Sequence, residues 1–437
     1  MRRLLALTLT ASVMSVASFM PVTAVAAPDK LILTGQLLDV QSGKLRANQA
    51  ILLEQDRIHD IVPIASLTAE QKALPSTDLT GYTVLPGLID MHVHLTANPA
   101  QHGYRRLQQT PARQALFGVT AAKATLEAGF TTVRNLGAAG FADVDLRDAI
   151  NAGEMPGPRM RVSGPSLCMT GGHCDNNLLP HTYQASGDGV ANGADAIRAK
   201  VRSNMKYGAD VIKFTATGGV LSRNTDVNAS QYSLAEMQAL VAEAKDRGAI
   251  VAAHAHGLRG IKRALEAGVD SIEHASFIDD DAIKLAKRNG TYLVMDIYVS
   301  DYILQEGEAA GILPESLAKE RTVGQLQRQN FSKAVKAGLN IAYGTDAGVY
   351  THGLNARQFN YMVQWGMTPL QAIQSATVNA ATLLNWRNEQ GQLNVGVLQA
   401  GAYADMIALK GNPLEHITLL ENISVVVKGG DIVKQLD

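Results

Sequence analysis

Cysteine and tryptophan are nearly absent from this chain, with two of each in 437 residues, and aromatic residues make up only 5%. Two cysteines cannot build a disulfide scaffold or a four-cysteine zinc site. An excess of either charge is missing too. Lys plus Arg number 39 against 40 Asp plus Glu, and no basic stripe stands out, which argues against a nucleic-acid partner. Beyond the first twenty residues there is no apolar run of 18 or more residues, so no later membrane span is expected. Low-complexity tracts and short solenoid repeats are also lacking. What is present is an ordinary globular composition, 46% hydrophobic with mean hydropathy near zero. The length suits one large barrel plus a smaller accessory unit.

Residues 1–27 read as an export signal rather than as part of the fold. Arg2 and Arg3 are followed by the apolar stretch Leu4 to Met20, and Ala24-Val25-Ala26 makes an A-x-A cleavage site just before Pro28. The expectation is a periplasmic or secreted protein; an uncleaved anchor is the alternative. Cys168 and Cys174 lie six apart. In an oxidising compartment they could close a small disulfide loop, and they could equally stay as two thiols. Their spacing is not a zinc pattern.

Short β-rich runs at both ends, such as Leu31–Thr34, Ile51–Glu54, Asp405–Leu409 and Ser424–Val427, are too few on either side to bury a core alone. Segments 28–83 and 391–437 are therefore expected to combine into one small β-sandwich. Between them, 84–390 alternates apolar runs with helical patterns. Strands are predicted at Val84–Leu95, Thr131–Leu136, Arg159–Ser163, Asp210–Thr215, Ile250–His254, Ser271–His274, Tyr292–Met295 and Asn340–Gly344. Helices are predicted at Leu234–Asp246, Ile261–Ala267, Ser332–Ala337, Asn355–Trp365 and Pro369–Leu384, several ended by glycine. Eight such alternations predict an α/β fold of the (β/α)8 TIM-barrel type.

Barrel enzymes carry their chemistry at the C-terminal ends of the strands. The first run ends in Asp90-Met91-His92-Val93-His94, and residues i and i+2 of a strand share a face, so both imidazoles can meet one metal ion. Eleven histidines yield roughly 0.3 such pairs by chance, so the pair means little alone. Lys213 sits among Val, Ile and Phe, where an unpaired ammonium is costly. His254, His274 and Asp346 end later runs. Each has a bland explanation, a hydrogen-bonded core histidine or a helix cap. Together, on one rim, they predict a divalent-metal site, with Asp346 its one carboxylate.

With Pro86-Gly87-Leu88-Ile89-Asp90 and Ala404-Asp405-Met406, this set resembles the amidohydrolase superfamily over nearly the whole chain. Lys213-Phe214-Thr215-Ala216-Thr217-Gly218-Gly219 and His254-Ala255-His256-Gly257 are similar to its imidazolonepropionase-related branch of Xaa-Pro and Xaa-Arg/Lys dipeptidases and ochratoxin-cleaving amidases. The resemblance implies that His92, His94, Lys213, His254, His274 and Asp346 hold two divalent ions, zinc first with Mn or Co as alternatives. It also implies that Lys213 is carboxylated to a bridging carbamate, and that the chain forms a homo-oligomer. The implied reaction is hydrolysis of an amide in a small molecule, a dipeptide or N-acyl amino acid. A cyclic amide or lactone is the alternative substrate, and a non-catalytic metal-binding protein the alternative class. Among substrate contacts, Tyr232 could bond the scissile carbonyl oxygen, and His173 could face the substrate. Arg223 and His352 could meet a carboxylate. His256 joins His254 only if its strand continues, and His102, His181 and His416 are expected at the surface.

Overall fold

The computed structural model describes residues 27–436; the expected export signal lies outside the described residues except for its last position. The strands are β1 Lys30–Asp39, β2 Lys44–Glu54, β3 Arg57–Pro63, β4 Ser76–Pro86, β5 Leu88–Val93, β6 Phe130–Asn135, β7 Arg159–Val162, β8 Val211–Thr215, β9 Ile250–Ala255, β10 Ser271–His274, β11 Tyr292–Val294, β12 Met406–Leu409, β13 Val425–Lys428 and β14 Asp431–Gln435. They form an α/β structure with two parallel sheets, β5-β6-β7 and β8-β9-β10-β11, and a seven-stranded sheet, β14-β13-β12-β4-β1-β2-β3.

The seven-stranded sheet joins the two ends of the chain, because β4 pairs with β1 on one side and with β12 on the other. It also bends back on itself. Ile58 of the edge strand β3 donates to Ala402 O, and Gly401 donates to Ile58 O, although β12 lies four strands away in the sheet. Alternate residues such as Ile51, Leu53, Met406 and Val425 supply its buried cluster. One predicted strand, Val84–Leu95, is in fact two. The chain leaves the seven-stranded sheet at Pro86 and enters the first parallel sheet at Leu88. Gly87 makes this step possible, since a Cβ there would stand 2.0 Å from Thr131 Oγ1.

The parallel sheets are linked at both margins. Leu167, beyond β7, donates to Lys213 O and accepts from Thr215 N. On the other side, Asn340–Asp346 bonds alternately to β11 and β5: Ala342 N to Leu293 O, Met91 N to Tyr343 O, and Asp346 N to His92 O. Its Asn340–Gly344 part is the predicted eighth strand, but within it only Ile341 makes a ladder bridge. Its pairing is interrupted where Tyr343 N turns to Ser375 O and where Asp346 adopts φ +58°. Arg134 of β6 crosses the interior to Glu273 of β10 at 2.8 Å, so the two sheets share one lumen.

Helices follow the strands in turn. Leu234–Lys245 starts in a capping box, Ser233 accepting from Glu236 N while Glu236 accepts from Ser233 N at 2.9 Å. Leu258–Ala267 packs beside it, and the predicted Ser332–Ala337 is only the last turns and C-cap of a much longer helix, Pro314–Lys336. Arg357–Gln364 falls inside the predicted Asn355–Trp365. The predicted helix Pro369–Leu384 is broken into Pro369–Ser375 and Val378–Leu384, because Thr377 leaves helical geometry at φ −131°, ψ −101°.

Candidate active site

Five strand ends bring their polar side chains to one rim. His92 and His94 come from the end of β5, Lys213 from β8, His254 from β9, His274 from β10 and Asp346 from the irregular eighth segment. The His92 and His274 rings lie 5.1 Å apart, and those of His254 and His274 4.5 Å. Lys213 Nζ stands 3.4 Å from His92 Nε2. Asp346 Oδ1 lies 3.2 Å from His94 Nε2 and 3.5 Å from His92 Nε2. All six residues predicted to hold metal thus converge. His256 joins them just past β9, its ring stacked 4.7 Å from that of His274.

Two overlapping groups offer ligand atoms within 4.8 Å of one another, His92–His274–Asp346 and His254–His256–His274. The outer bonds of the rings favour a metal-binding tautomer. Nδ1 of His94 bonds to Gly137 O at 3.3 Å and that of His274 to Asp296 Oδ1 at 2.9 Å, while Nδ1 of His92 approaches Glu273 Oε2 at 3.1 Å without hydrogen-bond geometry. An Nδ1–H donated outward leaves the Nε2 lone pair turned inward. A set of imidazole and carboxylate donors with this orientation fits a divalent transition ion.

Electrostatics agrees. Burial pushes His92, His254 and His256 well below the ordinary histidine range, and the neighbouring cations add to it, so all three rings are neutral. Burial also brings Lys213 down to about 8, against the pull of Glu273 and Asp346 in the other direction. A neutral amine is therefore accessible to this lysine near neutral pH. Burial lowers His274 as well, but the carboxylate of Asp296 outweighs it and the net shift is upward. His274 and Asp346 have left-handed backbones, φ +69° and +58°, which are strained for such residues by about 1–3 kcal/mol each. The turn at His274 lets Glu273 and His274, neighbours that a regular strand would send to opposite faces, both serve the site.

A supporting layer escaped sequence reasoning. Glu273 ties His92 to Arg134, which is wholly buried and also donates to Met91 O and Ser271 Oγ. Asp296 receives Gln327 Nε2 at 2.8 Å besides holding His274. Asp90 accepts from Thr345 Oγ1, Asn355 Nδ2 and His92 N. Burial raises its carboxyl to about 7 in spite of those bonds. Glu273 could have been suspected from its place in Ser-Ile-Glu-His. Asp296 directly follows the predicted strand Tyr292–Met295 and could have been suspected on the same ground as Asp346, whereas Gln327, inside the helix Pro314–Lys336, gave no signal.

The expected substrate contacts fare unequally. His173 does reach the cluster, its ring stacked 4.2 Å from that of His254. Tyr232 does not. It is fully buried against Phe214 and its hydroxyl is spent on Ala191 O at 3.0 Å, because the chain turns inward before the helix that begins at Leu234. Arg223 sits on the exposed rim beside Tyr104 and Glu315. His352 is buried, with Nε2 toward Ala97 O at 3.3 Å, and burial lowers it to about 4, which leaves it neutral and unsuited to binding a carboxylate as a cation. His102, expected at the surface, is half-buried on Val349 O; His181 and His416 are exposed. Cys168 and Cys174, left open by the sequence, form a disulfide.

An α/β fold with metal-ligand side chains gathered at the strand ends defines a class of hydrolases, and the comparisons agree. Residues 83–433 match the amidohydrolase family model, and the chain belongs to that family. Ochratoxinase of Aspergillus niger is 33% identical over 428 residues, covering 92% of this chain and 86% of its own length, and its crystal structure superposes with a TM-score of 0.84. A Xaa-Pro dipeptidase crystallised with methionine in its active site is 39% identical with a TM-score of 0.82, over 93% of this chain and 99% of its own. Imidazolonepropionase of Chromobacterium violaceum is 23% identical over 82% of this chain and 84% of its own length.

Proposed function

We propose that the protein is a binuclear metal-dependent hydrolase of amide bonds that releases the C-terminal amino acid from a dipeptide or N-acyl amino acid. The observation that carries this reading is the convergence of His92, His94, Lys213, His254, His274 and Asp346, with Asp346 the only carboxylate among them. These residues would hold two divalent ions, zinc first, which supply an acidified water and polarise the scissile carbonyl. Asp346 would take the proton from the attacking water and deliver it to the departing amine. Lys213, as a neutral amine, would add to carbon dioxide, releasing a proton to solvent and becoming the anionic carbamate that two dications require.

The same reading takes 84–390 as a closed (β/α)8 barrel, supported by the bonds at both sheet margins and by Arg134 crossing the lumen. It takes 28–83 and 391–437 as one β-sandwich, supported by the folding of β3 back toward β12. Export is proposed with it, since a disulfide suits an oxidising compartment. The test is metal analysis of the purified protein coupled to hydrolysis of C-terminally varied N-acetyl amino acids, with lactams and lactones alongside. Two ions per chain and release of free amino acid are expected. Less than one ion per chain and no amide hydrolysis would reject the reading.

A further inference from the structure

Residues 217–230, between β8 and the helix Leu234–Lys245, lie over the His254 side of the cluster. Gly218 O is 3.3 Å from His254 Nε2. Ser222 Oγ is 2.7 Å from His173 Nδ1, and His173 in turn is stacked on His254. Loop and ring fit so closely that a Cβ at Gly219 would stand 2.1 Å from the His173 ring. The loop is held from outside by the helix Pro314–Lys336. Lys319 Nζ donates to the carbonyls of Gly219 (2.7 Å), Ser222 (2.7 Å) and Thr225 (3.3 Å), while Val323 packs against Val220 and Val227.

An ammonium has three N–H donors, and here three carbonyls of one loop converge on it. Among the described residues Lys319 has no carboxylate within ion-pairing distance. Bonds from an ionised donor are the stronger kind, and a half-buried lysine spends its side-chain entropy here on backbone acceptors alone. We propose that Lys319 is a positioning residue. It latches residues 219–225 to the helix behind them, and through Ser222 keeps His173 on the face of His254, which shapes the wall against which substrate is held. The kinetic part of this inference rests on the amide-hydrolase reading; the latch itself does not.

The test compares Lys319→Met with the wild type by backbone hydrogen exchange, zinc content and steady-state kinetics on the N-acetyl amino acid hydrolysed best. Exchange should quicken in 219–225 and 171–175. KM should rise about 10-fold, with kcat within about 3-fold and zinc content unchanged, because a loosened wall weakens substrate positioning without touching the metal ligands. Lys319→Gln keeps two N–H donors and should shift the same quantities less, and it replaces the methionine variant if that one fails to fold. Unchanged exchange overturns the latch. Faster exchange with unchanged KM, or with a loss confined to kcat, overturns the positioning role. A wild type inert on every amide rejects the functional reading, and the latch then stands or falls on exchange alone.

Discussion

The two ends of the histidine cluster are built on opposite terms. At one end, His94 and Asp346 keep 26% and 14% of their side chains exposed, and the only carboxylate of the cluster faces solvent. At the other, His254, His256 and His274 are at most 5% exposed and are shut in by His173 and the 217–230 loop. In the proposed reaction the open end has the proton-accepting group and the route for water. The closed end has His254 and His256, which burial keeps neutral, beside His274, and their orientation is set by Gly218 O, Ser276 Oγ and Asp296. A site so divided can keep its ligands dry and fixed while still exchanging protons and products.

Breaking the open end should have the largest effect. Asp346→Asn removes the proton acceptor but keeps an oxygen donor, so kcat is expected to fall about 10³-fold with bound zinc largely retained, read by kinetics and metal analysis on one sample. Near-normal turnover would refute the asymmetry. Glu273→Gln should cost about 3–5 kcal/mol in a denaturant titration, because it leaves the buried Arg134 guanidinium without its countercharge. At the closed end, Asp296→Asn should weaken zinc affinity about 10–100-fold through its hold on His274, measured by competition with a chelator.

The smallest effect concerns Glu320, buried behind Asp296 beside Ser300. Burial raises its carboxyl to about 7, with Asp296 adding to the shift. A folded-state value above the unfolded one means that the contribution of Glu320 to stability is fully present below about pH 4.5. The protein loses that contribution as pH rises through about 7, where the folded chain must ionise. Glu320→Gln should flatten this slope and gain on the order of 1 kcal/mol or more above pH 7 while changing nothing below pH 4. Equal pH profiles for variant and wild type would refute it.

What the sequence revealed follows the same division. The side chains that converge at the strand ends were legible because polar groups stand out after apolar runs, and the strand periodicity placed them on one rim. The layer behind them was not. Gln327 meets Asp296 and His274 only through packing of the helix Pro314–Lys336, which no local pattern records, and Asp296, though it follows a strand end, has no partner within its own segment to mark it. Tyr232 misled because a tyrosine before a helix cap carries no mark of which way it turns, and here it turns into the core. The poverty of strands at each end was the signal for joining the two ends, which share one seven-stranded sheet. The break at Gly87 was missed because an apolar run hides the change of sheet.

β4 is complete by Pro86, yet its partner β12 begins only at Met406. At about 5–20 residues per second, a ribosome needs roughly 15–60 s to cover that interval. Throughout that time β4 offers an unpaired hydrogen-bonding edge, long enough for a second nascent chain or a chaperone to find it. Yield in a heterologous host should therefore depend on how that edge is guarded during synthesis, more than on the final stability of the sheet.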